Sequence, residues 1–254
     1  MSLSDGPTGL ASALSALGEA RASGRRLTAP PEGAVLADER EAYAAHFAAV
    51  ALVGPIRGWK VGAPSPDAAP GYGALTADTI FDGPATLPAF ALGAVEAEIA
   101  IRFARDLPAR EEPYGEDEVF AAIGSWHAAI EILESAFADW KAAPKLWKIA
   151  DRQSHGALVL GPAVDAPPSV PLAEMPVKLI VDGETVFDHV GGNTAGDPVR
   201  PLLWLVNELR GGPNHIKAGD VITTGSATPF HVAGAGQTVR AEFPELGAAE
   251  LTLS

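Results

Sequence analysis

Along this chain of 254 residues the repeat of apolar positions changes near residue 56. Before it, Leu10, Leu14 and Leu17, and then Leu36, Tyr43, Phe47 and Val50, recur at helical spacing, which predicts two amphipathic helices joined by the loop TAPPEG. After it come short β-type runs separated by glycine and proline: RGWKVGA, VEAEIAIRF, AAIEILES, GALVLG, VKLIVDGETVFDHV, DVITTGS and TVRAEF. The pattern predicts a helical segment over 1–56 and a mostly β domain over 57–254.

Two local signals refine this picture. Asp182-Gly183, between VKLIV and ETVFDHV, suits a tight hairpin because both residue types tolerate positive φ. A later helix is marked by Asp197 as a cap, Pro198 in the first turn, a stripe of Leu202, Leu205, Val206 and Leu209, and a stop at Gly211-Gly212.

Composition removes several classes of chemistry. The chain has no cysteine, which excludes disulfides, thiol nucleophiles and zinc-thiolate sites, so any metal must take oxygen or imidazole ligands. A formal charge of -14 opposes binding to nucleic acid or anionic lipid. The uncharged stretch between Glu41 and Arg57 is interrupted by Gly54 and Pro55 and is too short to span a membrane. Asp5 stands where a secretion signal carries basic residues, so a cytoplasmic location is expected.

The segment VEAEIAIRF poses the chemical question. On a strand, Glu96 and Glu98 point to one face while Val95, Ala97, Ile99 and Ile101 point to the other. Two carboxylates about 7 Å apart repel by roughly 2 kcal/mol at an effective dielectric near 20. Either the face is wet and Arg102 balances the charge, or a hard dication such as Mg²⁺ sits there and needs a third carboxylate. Glu131, flanked by Ile130 and Ile132, is a candidate; Glu134 and Asp139 compete with it. His127, four residues before Glu131, would share its face on a strand, although packing is the plainer use of it.

GWKVG at 58–62, YGAL at 72–75, VEAEIA at 95–100, AAIEILES at 128–135, AGDVITTGS at 218–226 and the Leu246-Gly247 pair resemble, in order and spacing, the 2-keto-4-pentenoate hydratase group of the fumarylacetoacetate hydrolase superfamily. The resemblance runs from about residue 8 to the C-terminus. It implies an α+β fold, a mixed β-roll with flanking helices and the helical front end, assembled as a homo-oligomer. It implies Glu96, Glu98 and Glu131 as ligands of Mg²⁺ or Mn²⁺, Lys60 as the active-site lysine, and Asp78 as an acidic partner for Lys60. Burial and a nearby cation would both lower the Lys60 pKa. Thr224, Gly225 and Ser226 would hold a carboxylate or oxyanion, and Asp151 would contribute to substrate binding.

The implied reaction is metal-dependent hydration of a 2-hydroxydienoate or 2-keto-enoate, a small 2-oxoacid substrate, to a 4-hydroxy-2-oxoacid. Decarboxylation of an oxalocrotonate-like acid and hydrolysis of an acylpyruvate use related chemistry, and a non-catalytic partner subunit is a further alternative. One departure stands out: Arg152 occupies the position where the group usually carries asparagine.

Overall fold

The computed structural model describes residues 8–254; the Asp5 reading lies outside them. Helices α1 (Thr8–Ser23) and α2 (Glu39–Val53) lead into strands β1 (Ile56–Gly62) and β2 (Gly71–Thr76). Short strands β3 (Ile80–Asp82) and β4 (Ala85–Leu87) precede the long β5 (Ala94–Phe103). Helix α3 (Glu116–Ala122) then feeds β6 (Ile123–Leu133), and α4 (Lys145–Ala150) feeds β7 (His155–Leu160). A hairpin of β8 (Pro176–Val181) and β9 (Glu184–Val190) is followed by α5 (Val199–Leu209). Strands β10 (Val221–Ser226), β11 (His231–Val232), β12 (Thr238–Phe243) and β13 (Gly247–Leu253) close the chain.

The strands form two sheets. One has the order β2-β1-β10-β5-β6-β7-β3, with β11 added against β5; the other has the order β4-β13-β12-β8-β9. Pairing is mixed, since β1 runs parallel to β10 while β5 runs antiparallel to both β10 and β6. The expected mixed β-roll with helices is what the chain forms. Each strand run read from the sequence lies on a strand or hairpin, overrunning its ends by at most two residues, and β2, β3, β4, β11 and β13 are additions that their short or glycine- and alanine-rich sequences did not announce.

Alternation on β5 decides where the core lies. Val95, Ala97, Ile99 and Ile101 join Ala128, Ile130 and Ile132 of β6 in the main core, against Val239, Ala249 and Leu251 of the second sheet. Each fully buried valine or isoleucine there contributes roughly 1.5–3 kcal/mol. The opposite face of β5 and β6 carries the glutamates, beside a small apolar cluster of Ala100, Ala129, Leu158, Leu160, Leu75 and Val221.

The predicted hairpin is present: Asp182 and Gly183 have φ of 51° and 81°, and the Asp182 carboxylate accepts from the Thr238 amide at 2.8 Å. Helix α5 starts at Val199, whose amide donates to Asp197 Oδ1 at 2.9 Å. Helices α1 and α2 build a second core with Phe137 and Trp147. Helix α2 is also tied to the roll by His46, which accepts at Nε2 from the Ala74 amide (2.9 Å) and donates from Nδ1 to the Ile149 carbonyl (3.1 Å). No helix among the described residues is long and apolar enough to cross a membrane.

Candidate active site

Antiparallel pairing places Glu96 directly opposite Glu131, and Glu98 opposite Ala129. The two β5 glutamates and the β6 glutamate thus share one face, with ligand-capable oxygens all within 4.8 Å of one another. Glu98 and Glu131 are buried, and Glu96 is half-buried. Glu134 and Asp139, the competing candidates, are used elsewhere. Glu134 accepts from Arg26 (2.7 Å) and the Ala91 amide (2.8 Å), and Asp139 accepts from the Ala142 amide (3.1 Å).

Lys60 comes from β1, separated from β6 by β10 and β5, and donates from Nζ to Glu131 Oε1 at 2.6 Å and to the Gln153 carbonyl at 3.1 Å. Burial works to depress the ammonium's pKa, but Glu131 first, then Glu98 and Glu96, outweigh it and hold Lys60 above the usual lysine range. Burial alone therefore does not lower the Lys60 pKa against the three carboxylates. Burial opposes ionisation of Glu131 too, yet Lys60 and His155 outweigh burial and hold it below the usual carboxylate range. Burial and then repulsion from Glu131 push Glu96 up to about 7, and the same two causes push Glu98 well above its ordinary value.

Three carboxylates and one ammonium leave two net negative charges when all are ionised. Glu98 Oε2 is buried with no hydrogen-bond partner among the described residues. An orphaned buried oxygen, a hard all-oxygen donor set and a twofold charge deficit fit a divalent cation such as Mg²⁺. Glu96, Glu98 and Glu131 are the residues that could hold it.

Other expected site residues are placed differently. Asp78 is exposed on a turn after β2 and makes no ion pair with Lys60, whose anionic partner is Glu131. Asp151 is only 2% exposed, and its two oxygens accept from Arg21 Nε (2.7 Å), Ser135 Oγ (2.8 Å) and the Ala136 amide (2.8 Å). With its acceptors taken it holds a loop rather than facing a ligand. Thr224 Oγ1 donates to the Ile99 carbonyl at 3.2 Å and borders a cavity of about 10 Å³ on the core side of β5.

Alternation on β10 puts Thr223, not Thr224, on the glutamate face, since Thr223 pairs with Ala100. Its buried hydroxyl makes no hydrogen bond of standard geometry among the described residues, yet it stands close enough to Glu98 to draw that carboxyl's pKa down, against the larger effects of burial and Glu131. Gly225, at φ 91°, turns the strand so that Ser226 pairs with Glu98 in register, and the Ser226 hydroxyl donates to the Thr228 carbonyl. His127 lies on the glutamate face toward the other end of β6, with both ring nitrogens taken, by Ser125 Oγ (2.9 Å) and the Gly161 carbonyl (2.8 Å).

Arg152, Gln153 and Ser154 follow one another in left-handed conformation, with φ of 55°, 51° and 59°. That conformation costs roughly 1–2 kcal/mol per residue outside glycine. The turn is held in place from two sides. Gly73 leaves room for it, since a Cβ there would stand 3.2 Å from Gln153 Cβ and 3.4 Å from the Arg152 carbonyl. Arg21 of α1 spans its base, donating to the Asp151 carboxylate and to the carbonyls of Asp151 (2.9 Å), Glu134 (2.8 Å) and His155 (3.0 Å). The strained turn delivers the Gln153 carbonyl to Lys60. Arg152 makes no ion pair among the described residues, and burial, then Arg21, push it down to about 10.

Residues 41–254 match the model of the fumarylacetoacetate (FAA) hydrolase C-terminal family. A 2-keto-4-pentenoate hydratase of Burkholderia vietnamiensis is 29% identical, covering 96% of this chain and 97% of that protein. Another 2-keto-4-pentenoate hydratase, of Paraburkholderia xenovorans, is 30% identical over 68% of each chain. Among solved structures, a 4-oxalocrotonate decarboxylase from Pseudomonas putida G7, complexed with magnesium and adipate, superposes with a TM-score of 0.81 at 21% identity, over 96% of this chain and 97% of that one. The chain belongs to the fumarylacetoacetate hydrolase family, in its 2-keto-4-pentenoate hydratase group.

Proposed function

We propose that this protein is a divalent-metal-dependent hydratase that adds water to a small 2-hydroxydienoate or 2-keto-enoate and yields a 4-hydroxy-2-oxoacid. The observation that carries the reading is the convergence of Glu96, Glu98 and Glu131 beside Lys60. Bound by the three glutamates, Mg²⁺ or Mn²⁺ supplies Lewis-acid polarisation of a 2-oxoacid.

The chain's own groups provide the remaining parts. Among the described residues Lys60 is the one ammonium at the glutamates, held protonated by their charge, and it orients the substrate carboxylate and serves as proton donor to the terminal carbon of the diene. The proton leaving the 2-hydroxyl balances the one delivered, giving the 2-keto-3-enoate, to which water then adds at C4. The Thr223 hydroxyl, on the glutamate face and without a hydrogen-bond partner among the described residues, would hold an oxygen of the substrate or the attacking water. In this reading the roll from residue 57 carries the chemistry and α1–α2 brace it, in a cytoplasmic homo-oligomer.

Incubation with 2-hydroxypenta-2,4-dienoate and Mg²⁺, with and without chelator, tests the proposal. The expected result is chelator-sensitive formation of 4-hydroxy-2-oxopentanoate. Metal-independent turnover, or none, overturns it, and release of CO₂ from an oxalocrotonate without hydration would transfer the site to a decarboxylase.

A further inference from the structure

Glu131 differs from the other two glutamates in having one oxygen fully engaged. Oε1 faces Lys60 Nζ at 2.6 Å and His155 Nδ1 at 3.0 Å. His155 opens β7, is 1% exposed, and reaches Thr79 Oγ1 with its other nitrogen at 3.0 Å. The ring is therefore clamped at both ends, between the metal-facing strand β6 and the turn that precedes β3. A carboxylate oxygen only accepts, so Nδ1 carries the proton and donates it to Glu131, and the neutral ring's Nε2 shares the one Thr79 hydroxyl proton with the Thr76 carbonyl, each 3.0 Å from that oxygen. A carboxylate with both oxygens free could rotate about its last torsion, which is broad for glutamate. Two donors converging on Oε1 remove that freedom and leave Oε2 for an ion.

We propose that His155 is a positioning residue for the metal site: with Lys60 it fixes Glu131 so that the third ligand is set before a dication arrives. The inference rests on Glu96, Glu98 and Glu131 being the metal site. Hydrogen bonds to ligating carboxylates from such outer partners govern metal affinity, and losing one typically costs 10–100-fold.

Calorimetric titration of Mn²⁺ into the metal-free full chain tests it, comparing wild type with His155→Leu, His155→Asn and Thr79→Val. The leucine variant should bind Mn²⁺ about 10–100-fold more weakly while keeping a cooperative melt. The asparagine variant, whose amide N–H stands near the position of Nδ1–H, should recover most of the affinity. Thr79→Val, which touches neither Glu131 nor Lys60, should weaken binding through the loosened ring, and it reads the same link if the leucine variant does not fold. Wild-type affinity in His155→Leu or, should that variant fail to fold, in Thr79→Val overturns the inference, as does an asparagine variant as weak as a folded leucine variant. A wild type that binds no Mn²⁺ defeats the metal reading itself.

Discussion

Glu96 on β5 and Glu131 on β6 are register partners across an antiparallel pair, so two carboxylates far apart in sequence stand opposite each other on a largely buried face. In the metal-free chain this opposition is costly, and the cost has a defined pH dependence. Glu96 is raised from 4.5 to about 7 by burial and then by Glu131. An acid raised on folding contributes its stability below the unfolded value and loses it as pH rises through the folded value. Glu96→Gln should therefore be more stable than wild type at pH 8 in chelator, by on the order of 3 kcal/mol, with the gap closing toward pH 4.5. Urea unfolding at several pH values measures it. Added Mg²⁺ should stabilise wild type and leave the variant nearly unchanged.

Lys60 offsets part of the glutamates' charge and, in the proposed reaction, holds the transferred proton. Replacing it with methionine separates these roles. Turnover should fall by about 10²–10⁴-fold, the usual worth of a general acid or base. Mn²⁺ binding should change far less than turnover, because losing the ammonium loosens Glu131 but also frees the carboxylates from a competing cation. Steady-state kinetics and calorimetry on the same preparation give both numbers, and joint loss of affinity and turnover would show that Lys60 chiefly shapes the site.

His46 links α2 to β2 and α4 as a neutral ring, with burial holding it down to about 4. A histidine depressed on folding binds its proton in the unfolded chain first, so stability drops as pH falls from about 6.5 to about 4. The group's share is on the order of 3 kcal/mol across that window. His46→Gln should show a shallower slope of unfolding free energy against pH in that window, by close to one proton, in urea titrations.

Arg21 leaves Asp151 compensated at a position where only 1% of the aspartate side chain is exposed. Removing one partner of such a pair costs about 3–5 kcal/mol, because the other charge stays buried alone. Arg21→Ala should lose that much in urea unfolding. Arg21→Lys should recover only part of it, since an ammonium cannot span the fork of carboxylate and three carbonyls that the guanidinium fills.

Features that depend on neighbours along the chain were legible before any folding. Alternation in VEAEIAIRF assigned Glu96 and Glu98 to one face and the aliphatic residues to the core, Asp182-Gly183 marked the hairpin, and the leucine stripe marked α5. The tertiary structure decided what depends on pairs of segments. Strand register chose Glu131 over Glu134 and Asp139, gave Lys60 a glutamate in place of Asp78, and put Thr223 rather than Thr224 on the reactive face. It also set His155 against Glu131 and bent Arg152–Ser154 into a left-handed turn that no glycine announced. Periodicity is a property of one strand, whereas register and strain are fixed only when long-range contacts, here the glycine trough at Gly73 and the Arg21 fork, supply the energy to hold them.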